Sequence, residues 1–276
     1  MKVESIHLRS VFPFLGENDR DPVLTVYLPD NLTQMGRGDQ LRPGLLVIPG
    51  GGYAMVSERE AEPIALNFLS EGYNVFVLTY SVAPNRFPVQ LREVAAALEV
   101  IWYSASDWHV DVSKIAIMGF SAGGHLACHY SNCYQIPEVR EYFPDSKGVQ
   151  AAVLCYSVIT ADPEYSHKGS FKNLTGHDPL TEEDIEQFSL NNLVTSTTPP
   201  TFLWHTRTDA AVPVMNTLLY SEALARNGID FSVHIYPVGK HGLATVDMVT
   251  NDALNPGEEL SAEWINAAKK WLKITL

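Results

Sequence analysis

Six apolar runs recur along the chain: Leu45 to Ile48, Asn74 to Tyr80, Lys114 to Met118, Val149 to Tyr156, Thr201 to His205 and Phe231 to Tyr236. They are read as apolar throughout instead of at every second residue, which predicts strands of a mostly parallel sheet covered on both faces. Between them the period changes. From Gln90 to Ser104, apolar Leu91, Val94, Ala95, Leu98, Ile101 and Trp102 return at steps of three and four, marking one face of a helix packed on the sheet. Ser57 to Ser70 predicts a second helix, with Glu58, Glu60 and Glu62 near its amino end and Gly72 stopping it. A last helix over Leu260 to Leu272 places Lys269, Lys270 and Lys273 at its carboxyl end. An earlier pair, Ser5 to Val11 and Pro22 to Leu28, predicts an antiparallel ribbon at the sheet edge. This alternation implies one doubly wound α/β domain over residues 1–276, with helices on both faces and no internal repeat.

Charge narrows the partners. Nineteen basic against thirty-two acidic residues give a net charge of −13, which repels phosphate backbones and anionic lipid, so neither nucleic acid nor membrane is expected. No stretch approaches the roughly 20 apolar residues that span a bilayer. Met1-Lys2-Val3-Glu4-Ser5 lacks a secretory apolar core. A soluble cytoplasmic protein is the expectation, with self-association left open. Cys128, Cys133 and Cys155 are odd in number and fit reduced thiols in the core better than a disulfide framework.

The chemistry enters at Gly119-Phe120-Ser121-Ala122-Gly123, a G-x-S-x-G segment between the run Lys114 to Met118 and the helix-forming His125 to Tyr130. A strand–turn–helix there would hold Ser121 on a sharp exposed turn, and the glycines on either side remove side chains where strand and helix cross. A serine nucleophile needs an imidazole to take its proton and a carboxylate to orient that imidazole. Asp209 follows the strand Thr201 to His205, and His241 stands on a glycine-flanked turn after Phe231 to Tyr236. Asp162, after the preceding strand, is the alternative acid; His205 and His234 fall inside strands and read as packing residues.

Negative charge developing on a carbonyl oxygen must meet fixed donors. Pro49-Gly50-Gly51-Gly52-Tyr53 follows directly on Leu45 to Ile48, and the amides of Gly51, Gly52 and Ala122 are the expected oxyanion hole. His125 and His129 lie four apart with Cys128 adjacent. The Glu of H-E-x-x-H is missing and no third ligand is indicated, so helix packing is read there and neither metal nor cofactor is expected. Residues 161–198 interrupt the core as a short cap-like insertion, within which Thr181 and Asp184 predict a capped helix. A cap this short implies short acyl groups, with Tyr53, Tyr156 and the insertion as pocket walls.

With these pieces in place, the chain resembles the α/β-hydrolase esterases of the hormone-sensitive-lipase-like and acetyl-xylan-esterase-like groups. The match rests on residues 49–53, Gly119 to Ala127, Pro199 to Thr206 leading to Asp209, and His241-Gly242. Lipase-like relatives often carry His before the glycines where this chain has Pro49. The P-G-G-G-Y version is more similar to the sugar-ester branch. The resemblance implies an α/β-hydrolase fold and a carboxylic ester hydrolase acting on acetylated carbohydrate. Two alternatives stay open: a serine peptidase of the prolyl-oligopeptidase type, and a non-catalytic binding protein on the same fold.

Overall fold

Leu45, Leu46, Val47 and Ile48 are all fully buried. Strand side chains alternate, so Leu46 and Ile48 enter the core on one side of the sheet while Leu45 and Val47 enter the core on the other. A strand wet on neither face has no need of polar residues, which is why these runs are continuous. The computed structural model describes residues 1–16 and 21–276. Its strands are β1 (Lys2–His7), β2 (Val23–Leu28), β3 (Arg42–Ile48), β4 (Asn74–Thr79), β5 (Val110–Phe120), β6 (Ala151–Cys155), β7 (Thr201–Thr206) and β8 (Phe231–Tyr236). They form one sheet in the order β1-β2-β4-β3-β5-β6-β7-β8. The β1·β2 and β2·β4 pairs are antiparallel and all later neighbours are parallel. β8 departs from the continuous pattern: Phe231, Val233 and Ile235 alternate with polar or partly covered neighbours, because it forms the far edge.

The helices are α1 (Leu8–Val11), α2 (Glu62–Leu69), α3 (Val89–Tyr103), α4 (Ser121–Cys133), α5 (Pro137–Arg140), α6 (Lys168–Thr175), α7 (Glu182–Phe188), α8 (Met215–Arg226) and α9 (Glu263–Thr275). Apolar residues of α3, α4 and α8 fill the core on one face of the sheet, and those of α2 and α9 fill the other. This is the α/β-hydrolase arrangement, with the carboxyl ends of the parallel strands gathered along one rim.

Several strands begin earlier than the sequence pattern predicts, β5 at Val110 among them, and at three places the type of element differs. β1 ends at His7, and Leu8 to Val11 wind into a single turn closed by Phe12 N–H on the Leu8 carbonyl at 2.7 Å. The expected helix over Ser57 to Ser70 is two pieces, a 3₁₀ turn at Glu58–Glu60 and then α2. Pro63 is the cause: it lacks an N–H and its ring would strike the carbonyl four residues back, so the helix must restart. The final helix begins as a 3₁₀ turn at Glu258–Ala262 before α9.

One buried carboxylate makes the core pH-sensitive. Glu93 of α3 is fully buried and accepts from Ser81 N at 2.6 Å and Ser81 Oγ at 2.5 Å. Burial outweighs these bonds and pushes its carboxyl from the ordinary 4.5 up to about 7. The folded chain therefore holds this proton more tightly than the unfolded one, and stability is lost as pH rises between those two values. The full loss is about 3 kcal/mol. Between pH 5 and pH 8, Tm of the wild type is expected to fall by about 5 °C more than that of Glu93→Gln. Parallel pH profiles in a thermal melt would reject this.

Candidate active site

β5 ends at Phe120 and α4 begins at Ser121, so the serine occupies the strand-to-helix turn itself. Its φ of 51° is a left-handed backbone that a non-glycine residue adopts only under constraint. The constraint is visible at Gly123, where an added Cβ would fall far inside contact distance of the Ile48 and Pro49 carbonyl oxygens. α4 thus crosses the end of β3 with no room for a side chain.

His241 Nε2 is 2.8 Å from Ser121 Oγ, and His241 Nδ1 is 2.6 Å from Asp209 Oδ2. An ionised carboxylate only accepts, so Nδ1 carries the ring proton and the Nε2 lone pair receives the Ser121 hydroxyl. Asp209 is itself held: Oδ1 accepts from Ala211 N and Val212 N, both at 2.9 Å. A second imidazole reaches it. His205 is fully buried, with Nε2 3.2 Å from Asp209 Oδ2 and 2.9 Å from the Val212 carbonyl, while Nδ1 is 2.8 Å from Thr217 Oγ1. Burial alone would raise the Asp209 carboxyl; the hydrogen bonds from His205 and His241 prevail and hold it well below the usual carboxylate range. Asp162 stands elsewhere, accepting from Glu164 N within its own turn.

Facing the serine is the glycine bend. Gly51 and Gly52 have φ of 124° and 63°, and a Cβ at Gly51 would strike the backbone of Met55. Among the described residues, the amides of Gly51, Gly52 and Ala122 donate to no protein acceptor, which leaves them available to an oxyanion. Glu60 tightens the bend: it is 3% exposed, its Oε2 accepts from Gly50 N at 2.8 Å and its Oε1 from the Tyr156 hydroxyl at 2.7 Å. From the insertion, Asn173 Nδ2 donates to the Gly52 carbonyl at 2.8 Å.

The cleft over Ser121, about 390 Å³, is lined by the glycine bend, Arg59, His241 and, from α6 and its N-cap, His167 and Asn173. Tyr53 and Tyr156 do not line it, contrary to the sequence expectation. Both have positive φ, 56° and 37°, and both are at most 2% exposed. Their rings turn back into the core, where the Tyr53 hydroxyl is 2.9 Å from His125 Nδ1 and Tyr156 packs edge-on against His241. His125 Nε2 in turn meets the Phe188 carbonyl at 3.2 Å, and His129 stacks on Phe87, so His125 serves packing and local hydrogen bonding and His129 serves packing. Glu60, Arg59, His167 and His205 were not singled out by sequence as site residues. The one signal available was the density of Ser57-Glu58-Arg59-Glu60 directly behind the glycine run.

Comparison with known proteins gives this arrangement a family. The BD-FAE profile matches residues 24–224. The chain belongs to the BD-FAE family. Among curated proteins, this BD-FAE member is similar to endo-1,4-beta-xylanase B of Butyrivibrio fibrisolvens, 36% identical over 84% of this chain and 36% of that protein. It is also similar to an acetylxylan esterase of Xylanibacter ruminicola, 32% identical over 82% of this chain and 44% of that one. The BD-FAE chain thus spans less than half the length of these curated relatives. A solved structure of an acetyl ester-xyloside bifunctional hydrolase from Caldicellulosiruptor lactoaceticus superposes with a TM-score of 0.83 at 34% identity, covering 98% of this chain and 96% of that one. No described helix of this BD-FAE chain is long and apolar enough to cross a membrane.

Proposed function

We propose that this chain is a serine carboxylic ester hydrolase that removes short acyl groups, acetyl above all, from carbohydrate hydroxyls. The observation that carries it is the continuous contact from Asp209 through His241 to Ser121 Oγ, opposite three unengaged amides. Ser121 Oγ attacks the ester carbonyl while His241 Nε2 takes its proton. The tetrahedral oxyanion is met by the amides of Gly51, Gly52 and Ala122, and Asp209 stabilises the imidazolium. His241 then gives the proton to the departing alkoxide, and the acyl group remains on Ser121. Water, deprotonated by His241, attacks the acyl carbonyl; the carboxylic acid leaves and the serine hydroxyl is restored.

The family and the acetyl-ester relatives support the substrate class. Residues 161–198 act in this reading as a short cap within one domain, contributing His167 and Asn173 to a cleft of modest volume. Three unpaired cysteines support a reducing compartment and hence a cytoplasmic setting. The test measures kcat/KM on p-nitrophenyl acetate, butyrate and octanoate, and acetate release from acetylated xylo-oligosaccharides. The acetate is expected to exceed the octanoate by roughly 10-fold or more. Equal rates across the series would refute the acyl preference, and comparable turnover of aminoacyl-nitroanilides would favour a peptidase.

A further inference from the structure

Among the described residues lining the cleft, Arg59 is the one lysine or arginine, and it is exposed with no ion pair or hydrogen bond. Glu60, next to it in sequence, does not engage it, since its two oxygens are taken by Gly50 N and the Tyr156 hydroxyl. The guanidinium instead packs over Gly242: a Cβ built there would come within 2.9 Å of Arg59 Nη2 and 3.4 Å of Cζ. Gly242 directly follows His241, the imidazole that must hand a proton to the leaving alkoxide. Arg59 and His241 thus share one cleft with the glycine bend, so an alcohol protonated by His241 would leave within the same cleft as the guanidinium.

The insertion adds a neutral donor to the same cleft. His167 Nδ1 accepts from Ser170 N at 3.2 Å as the N-cap of α6, which leaves the ring proton on Nε2. Burial lowers the pKa of this imidazole below its ordinary value, with a protonated His241 adding to the effect and Asp209 opposing it, which favours the uncharged ring. A guanidinium keeps its charge at any working pH and presents a planar fork that matches a carboxylate with two parallel bonds. In a chain of net charge −13, whose overall field repels anions, an unpaired guanidinium at this spot is a specific local exception.

We propose that the cleft is built for esters whose alcohol carries a carboxylate close to the ester oxygen, sugar acids included, with Arg59 pairing to that carboxylate and His167 Nε2–H donating to the same alcohol. This rests on the ester-hydrolase reading above. The test compares 3-acetoxybenzoate with 3-acetoxybenzamide, matched esters differing in that charge, on wild type, Arg59→Gln and Arg59→Lys. The ratio of kcat/KM for acid over amide is expected to fall about 5–10-fold in Arg59→Gln, less in Arg59→Lys. Raising salt to about 0.5 M should shrink the wild-type ratio and leave that of Arg59→Gln nearly flat. Competitive inhibition by 3-hydroxybenzoate should weaken in Arg59→Gln in parallel. Equal ratios in wild type and Arg59→Gln, with both esters hydrolysed, overturn this inference and leave the hydrolase standing. No turnover of either ester by wild type overturns both.

Discussion

Ser121→Ala is expected to lower kcat on p-nitrophenyl acetate by roughly 10³-fold or more, because nucleophile, base and orienting acid act as one unit. That corresponds to at least about 4 kcal/mol of lost transition-state stabilisation. The substitution removes one oxygen and keeps a Cβ at the same positive φ, so the backbone at 121 is asked for nothing new. Melting temperature should stay within about 2 °C of wild type. A fluorophosphonate probe should label wild type and not the variant, which separates an enzyme from a receptor that merely keeps the fold. Unchanged turnover in a well-folded Ser121→Ala protein would remove the mechanism altogether.

The second large effect is expected at a residue that does no chemistry. In Gly123→Ala the new methyl meets the carbonyl oxygens of Ile48 and Pro49, both backbone groups that cannot swing aside. Either α4 lifts from the sheet or the end of β3 retreats, and the glycine bend moves with it. Displacement of the donors by about 1 Å is worth on the order of 10²-fold in rate, and overpacking costs typically about 1–3 kcal/mol, with contacts this close at the upper end. We expect kcat to fall roughly 10²-fold with Tm lower by about 6–10 °C, read by steady-state kinetics and calorimetry on one preparation. Wild-type values for both would mean that strand and helix have slack which these contacts deny.

The contrast between the two residues explains what could be read from the chain in advance. The serine turn, the glycine run and the order Ser121, Asp209, His241 are local signals, each requiring a residue type at a fixed offset from a strand end. So is the Thr181 cap, whose side chain accepts from Asp184 N while Asp184 answers on Thr181 N. Glu60 and His205 are different. Each owes its place to a partner on another element, Gly50 and Tyr156 for the first and Thr217 for the second. Beyond the density of polar residues 57–60 around Glu60, nothing in the residues beside them marks that engagement. Tyr53 failed for a related reason: its position after the glycines suggested a wall, yet the sign of one dihedral sends its ring into the interior.

The stitching of the insertion to the glycine bend carries a consequence for how relatives could diverge. Asn173 holds the Gly52 carbonyl directly, and the Phe188 carbonyl meets His125, whose other nitrogen meets the Tyr53 hydroxyl. Grafting a foreign segment between β6 and β7 would therefore alter not only which molecules enter but also how firmly the anion-holding loop is braced. A successful chimera has to bring an amide side chain and a carbonyl to those two anchor points, and new selectivity in this scaffold is constrained by that requirement.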